Sequence, residues 1–176
     1  MNAFKEHLLF QDKRLYLYLN SSSKSYIFAR IMRLLTHLGD TSTGIIATLF
    51  ALYLESIHQI HIGVDLFYTM LISQVLVQSI KRIVNRPRPY KSISLANVTQ
   101  PPACAYSFPS GHTASAFAIA FSFASGFPTF AIILMGVAFI VGMSRIILGY
   151  HYPTDVLIGM LLAYFSHQLT LLILVS

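Results

Sequence analysis

Apolar and polar positions follow one another along this chain in long blocks. The first block mixes Leu8, Leu9, Leu15, Leu17 and Leu19 with Lys5, Glu6, Asp12, Lys13 and Arg14. Those charges interrupt any signal-peptide core, and the mixture predicts a segment lying on a membrane surface. Residues 21–25 read as a hinge. A second amphipathic stretch, 26–38, leads through Gly39 and Asp40 into a first apolar span at 42–54. A polar connection at 55–63 precedes a second span at 64–80, after which charge returns at Lys81 and Arg82. Asn85-Arg86-Pro87-Arg88-Pro89 begins a loop, because proline lacks an amide donor and disfavours helix in the residue before it. The loop runs through Pro101-Pro102 to Pro109. Ser110 then opens a third span at 111–126, Pro128 turns the chain into a fourth at 129–148, and Pro153 starts a fifth at 154–174. The pattern predicts an all-α, polytopic membrane helix bundle of about five transmembrane helices with N-terminal amphipathic surface helices. It forms one domain over 1–176, with 1–40 interfacial and 42–176 in the bundle.

Composition sharpens this picture. Hydrophobic residues make up 55% of the chain and charged residues 10%. No Lys, Arg, Asp or Glu occurs in 92–144 or in 156–176, and a chain this small cannot bury so much apolar surface in a water-soluble core. The bilayer is therefore the expected partner. The formal charge of +6 raises nucleic acid as another, but the Lys and Arg residues sit between apolar spans and form no soluble basic platform, so no nucleic acid is expected. Cys104, the single cysteine, has no disulfide partner and no neighbour at zinc-ligand spacing.

Five alternating spans would bring four helix ends to one face, and those ends hold Lys81 with Arg88, Ser110 with Gly111 and His112, Arg145, and His151 with Asp155. His151 and Asp155 are four positions apart across a helix start, so the carboxylate can reach back to one imidazole nitrogen and leave the other free to attack. Taken alone, the pair reads more readily as a helix cap at the membrane surface. Ser110-Gly111-His112 opens a helix whose free amides and dipole favour an anion. A second histidine there supplies a general acid and base, or is simply interfacial. Lys81, Arg88 and Arg145 can stabilise charge on phosphoryl oxygens. Snorkelling to headgroups is the alternative, and it fits Arg145 least because that residue interrupts an uncharged run. Arg82, Arg86 and Lys91 are read as headgroup-facing, and His37, His58, His61 and His167 as structural or interfacial. With no His-Glu-x-x-His, no carboxylate cluster and three cations in the layer, neither a metal nor any other cofactor is expected.

Lys81 through Arg88-Pro89, Pro109-Ser110-Gly111-His112, and Ser144-Arg145 with His151 and Asp155 together resemble the three-part signature of the type-2 phosphatidic acid phosphatase superfamily, the lipid phosphate phosphatases. The resemblance covers residues 81–155. It implies an all-helical enzyme that works without metal, in which His151 becomes a phosphohistidine and Asp155 orients it. His112 would protonate the leaving group and then activate water, while Lys81, Arg88 and Arg145 hold the phosphate with Ser110 and Gly111. Larger members often have six spans. Similar bacterial proteins act on undecaprenyl diphosphate, phosphatidylglycerol phosphate or phosphatidic acid, and family frequency favours the first. A lipid-phosphate binding or transport protein is the alternative of another class, although binding alone needs only the cations. With five spans all twelve Lys and Arg residues share the site's face and the C-terminus lies opposite. The positive-inside rule makes that face cytoplasmic, whereas many relatives recycling undecaprenyl diphosphate work outside, so the side stays open.

Overall fold

Apolar runs punctuated by Pro, Gly and short polar stretches fold here as helices, joined mostly by tight turns. The computed structural model describes residues 3–58, 60–98, 101 and 104–175; Pro102 of the expected loop and Ser176 fall outside them. In chain order the helices are α1 (Ala3–Asn20), α2 (Tyr26–Thr36), α3 (Thr41–His58), α4 (Ile62–Val84), the single-turn α5 (Pro89–Ser92), α6 (Gly111–Gly126), α7 (Ala131–Ile147) and α8 (Pro153–Val175). Single 3-10 turns at Ser21–Lys24, His37–Gly39 and Pro128–Phe130 fill three of the connections. No strand occurs among the described residues, and the 86–109 loop is pinned by an isolated bridge between Pro87 and Tyr106. The protein is a membrane-embedded helical bundle.

Helix α6 is the hub, packing on α3, α4, α7 and α8. Its Ala114, Ala116, Ala118 and Ala120 are buried, and such small side chains let neighbouring backbones approach where lipid supplies no hydrophobic drive. Ile62, Leu66, Val141 and Ala163 complete this core from α4, α7 and α8.

Among the described residues, three helices are long and apolar enough to cross a membrane: Ile62–Val84, Pro128–Ile147 and Pro153–Leu174. The expectation of five spans is thus met by three on length and composition. At 1.5 Å per residue the 16 residues of α6 reach only about 24 Å, short of a hydrocarbon core of about 30 Å. Enclosure by its neighbours supplies the apolar surroundings that α6 would otherwise need from lipid.

The surface helices are not loose adornments. Met32 of α2 packs with Ile147, Leu148 and Tyr150, and Tyr16 of α1 packs with Ile146 and Tyr152. Both helices therefore close over the end of α7 and the following turn, where the chemistry-bearing residues lie. The other faces of the surface helices, including Phe10, Tyr18, Tyr26 and Ile27, are exposed, as an interfacial segment requires.

Candidate active site

Four backbone reversals place the candidate residues. Helix α4 ends at Asn85, which takes left-handed geometry (φ 49°). Asparagine tolerates that geometry, and here its side-chain amide donates to the Arg82 carbonyl (2.9 Å). The chain then turns back, bringing Arg86 and Arg88 under the bundle. Ser110 caps α6: its hydroxyl accepts from the Thr113 hydroxyl at 2.8 Å, and its amide donates to the Asp155 carbonyl at 2.9 Å, tying α6 to α8. Helix α7 ends in a turn through Gly149 (φ 84°), after which the amides of Tyr150 and His151 both donate to the Arg145 carbonyl (3.0 and 3.2 Å). Pro153 starts α8 and sets Asp155 in its first turn.

These reversals bring the predicted residues together. His151 is 1% exposed, and Arg145, Arg88, Lys81 and His112 all act on its charge. Its Nε2 lies 3.3 Å from an Arg88 terminal nitrogen. Arg88 is held in turn by the Tyr150 and Cys104 carbonyls at 2.8 and 2.7 Å. Arg145 stacks its guanidinium over the Tyr150 ring, 4.6 Å from the centroid, and donates to Thr36 at 2.8 Å. The Lys81 ammonium lies 4.0 Å from where a side chain at Gly111 would begin. Burial, reinforced by the facing cations, holds the His151 imidazole well below its usual range, so the ring is neutral and carries a lone pair at neutral pH.

Asp155 differs from the simplest expectation. Its Oδ2 is 3.6 Å from His151 Nδ1, beyond a formed hydrogen bond, because the carboxylate is committed elsewhere. Oδ2 accepts from the Tyr152 amide at 2.8 Å and Oδ1 from Arg86 at 2.8 Å. His151 Nδ1 is buried with no hydrogen-bond partner. Contacts of this kind are often long in a free site and tighten once substrate is bound.

Arg86 corrects the sequence reading, which leaves it facing headgroups. It bridges Asp155 and Asp12 (2.6 Å), donates to Thr154 at 2.8 Å, and lies 3.9 Å over the Tyr152 ring. Asp12 of α1 also accepts from the Thr154 amide and hydroxyl at 3.0 and 2.7 Å. Three further residues go unnoticed in the pattern: Asp12, Thr36 and Asp40, the last paired with His112 (2.6 Å). All come from the N-terminal segment and meet their partners only through the fold, although the Asn-Arg-Pro-Arg-Pro run hints that Arg86 shares a constrained turn with Arg88. His37 pairs with Asp40, and His167 with Asp65 in the bundle interior.

A family model described as PAP2 superfamily matches residues 62–175. The chain belongs to the PAP2 superfamily. The match spans α4 to α8 and contains every candidate residue that the sequence pattern singles out. Among relatives, a lipid A 1-phosphatase of Rhizobium johnstonii is 36% identical over 104 residues, covering 56% of this chain and 42% of that protein. A decaprenylphosphoryl-5-phosphoribose phosphatase of Mycolicibacterium smegmatis is 33% identical over 129 residues, covering 72% of this chain and 68% of the other. The matches to lipid A 1-phosphatases span less than half the length of those proteins. The crystal structure of Aquifex aeolicus LpxE superposes with a TM-score of 0.79 at 28% identity over 90% of this chain and 93% of that one. A transmembrane PAP2 type phosphatidylglycerolphosphate phosphatase from Bacillus subtilis shares the fold, with a TM-score of 0.77 at 23% identity over 93% and 84% of the two chains.

Proposed function

We propose that this PAP2 protein is a multi-pass cell-membrane phosphatase that removes phosphate from a lipid phosphate or diphosphate through a phosphohistidine at His151. The observation that carries the reading is a neutral, buried imidazole whose Nε2 faces Arg88 while Asp155 stands behind Nδ1. A structural histidine has no need of three converging cations; a nucleophile for a phosphoryl group does, because negative charge must be stabilised on the nonbridging oxygens.

The chemistry runs in two halves. The Nε2 lone pair attacks phosphorus while Lys81, Arg88 and Arg145 hold the nonbridging oxygens, with Ser110 and Gly111 at the α6 N-terminus. The P–O bond breaks, and the leaving oxygen takes a proton from His112. A water then gives its proton to His112 and attacks phosphorus. The P–N bond breaks, its electron pair returns to His151, and inorganic phosphate departs with His112 protonated again. Asp155 steadies the cationic ring in between.

The apolar surroundings point to a lipid. An open groove between α3 and α4 is lined by Ile45, Leu49, Leu52, Phe67 and Leu71, with Thr41 and Gln74 also in its wall. Gln74 reaches the Gly111 carbonyl at 3.4 Å, so a tail lying in the groove would deliver its headgroup to the start of α6. Relatives named as phosphatases of lipid A and of decaprenylphosphoryl-5-phosphoribose support a lipid phosphate as substrate; within that class we favour undecaprenyl diphosphate, with phosphatidylglycerol phosphate and phosphatidic acid as the next substrates to try.

The test is phosphate release from a panel of these three lipids in detergent, with and without EDTA, by wild type, His151→Ala and His112→Ala. Expected are release unaffected by EDTA, none from His151→Ala, and a loss of about 100-fold or more from His112→Ala. Robust turnover by His151→Ala overturns the nucleophile assignment. Binding without release on every lipid makes the chain a lipid-phosphate binder.

A further inference from the structure

His112 stands among cations, yet a general acid for a poor leaving group must itself carry a proton. Arg145 and Lys81 act on its ring from α7 and α4, and His151 is its neighbour across the site. Burial is the largest effect disfavouring an imidazolium there, and the like charges of Arg145 and Lys81 add to it. One acidic side chain opposes them: Asp40 Oδ1 is 2.6 Å from His112 Nε2. The second oxygen, Oδ2, is 2.7 Å from His37 Nδ1. A carboxylate only accepts hydrogen bonds, so both rings present an N–H to it.

Backbone placement makes this contact specific. Asp40 follows the 3-10 turn His37–Gly39, and Gly39 is buried against α6. A Cβ at Gly39 would lie 2.6 Å from the His112 carbonyl oxygen and 2.9 Å from the Val141 side chain. No side chain fits there without moving the turn, so glycine is what lets Asp40 reach His112. Burial pushes the Asp40 carboxyl up, but the hydrogen bonds and charges of His37 and His112 outweigh it and hold the group below the usual carboxylate range.

We infer that Asp40 is a positioning residue that opposes burial and the facing cations to favour the imidazolium form of His112 needed to protonate the leaving oxygen, with His37 fixing the orientation of the carboxylate. The site then contains two carboxylate–histidine pairs of opposite duty. Asp155 backs the nucleophile from α8, and Asp40 backs the acid from the N-terminal segment. With Nε2–H bound to Asp40, the Nδ1 proton of the imidazolium passes to the leaving oxygen as the P–O bond breaks, and the attacking water returns one proton to the same nitrogen. No outside acid or base is consumed. This inference rests on the phosphatase reading above.

The experiment measures kcat and KM from acid to alkaline pH for wild type, Asp40→Asn, Asp40→Glu and His37→Ala. Its substrates are the lipid of the panel that the wild type hydrolyses fastest and para-nitrophenyl phosphate, whose leaving group departs without a proton. Asp40→Asn is expected to lower kcat on the lipid by about 10- to 100-fold, part of the full contribution of a general acid, with KM little changed and with a loss of only a few-fold on the aryl phosphate. Removing the carboxylate makes the imidazolium easier to deprotonate, so the alkaline limb of the lipid profile moves to lower pH, by about one unit or more. Asp40→Glu should recover part of the rate. Equal losses on both substrates, or an unmoved alkaline limb, overturn the inference. Should Asp40→Asn fail to fold, His37→Ala decides the matter by a smaller shift in the same direction, and an unmoved limb there counts against it. A wild type that hydrolyses no lipid phosphate defeats the phosphatase reading itself, an outcome distinct from these.

Discussion

Arg86 donates to two carboxylates from opposite ends of the chain, Asp12 and Asp155, both nearly or fully buried. Removing one partner of a buried charge network leaves the others uncompensated, which costs about 3–5 kcal/mol. Arg86→Ala should therefore lower the thermal unfolding temperature in detergent. It should also reduce kcat, since the Asp155 carboxylate, 3.6 Å from His151 Nδ1, loses a partner that fixes its position. Arg86→Lys preserves charge without the fork that spans two acids, so it should recover stability better than rate. Unchanged unfolding and kcat in Arg86→Ala would mean that water, not Arg86, satisfies the two acids. Sequence pattern gives little warning of this role, because a lone arginine beside apolar spans looks the same whether it meets headgroups or partners 69 and 74 residues away.

At the scale of elements, the helix ends were the legible part. Ser110-Gly111 opening α6, and Pro153 with Asp155 opening α8, are local signals, and the structure places helix starts there. The contribution of α1 and α2 was illegible, because Asp12, Asn20 and Thr36 act through contacts with no sequence period. Asn20 shows how such a contact positions His151. Its amide nitrogen donates to the Asn97 and Ile147 carbonyls at 3.0 and 2.8 Å, and its oxygen accepts from the Asn97 amide at 2.8 Å. These bonds clamp the turn at Gly149, where a Cβ would lie 2.5 Å from the Asn97 carbonyl oxygen. Gly149→Ala meets both that clash and the left-handed backbone, a penalty of about 1–2 kcal/mol for the backbone alone. Its expected result is a lower unfolding temperature and a fall in kcat larger than the rise in KM, because His151 lies two residues on. A Gly149→Ala protein matching wild type in both measurements would show that the turn does not set the His151 position.

For the whole molecule, charge is distributed from end to end. Every Lys and Arg lies in α1, in or next to α2, in the last turns of α4 and α7, or in the loop from Arg86 to Lys91. Glu55 and Asp65 lie toward the opposite end of the bundle, where the connection between α3 and α4 also carries His58 and His61. Lys81, Arg86, Arg88 and Arg145 are tied up in the site, so they are poor witnesses to orientation. Setting those four aside from the twelve leaves eight at the site end and none at the other, a bias from which the positive-inside rule predicts a cytoplasmic site end. Helix α4, 23 residues long, rises about 35 Å and is long enough to separate the two ends across the bilayer. Cys104, exposed on the site side, should thus be closed to a membrane-impermeant maleimide in intact cells and open once the inner face is exposed. A cysteine replacing exposed His58 (His58→Cys) in a Cys104→Ser background should behave in the opposite way. Reversed labelling would put the site on the outer face, where it meets headgroups of the outer leaflet, and equal labelling of both would defeat a transmembrane arrangement of α4. The outcome also narrows the substrate, since a headgroup that must enter a charged layer at one end of the bundle can come only from the leaflet on that side.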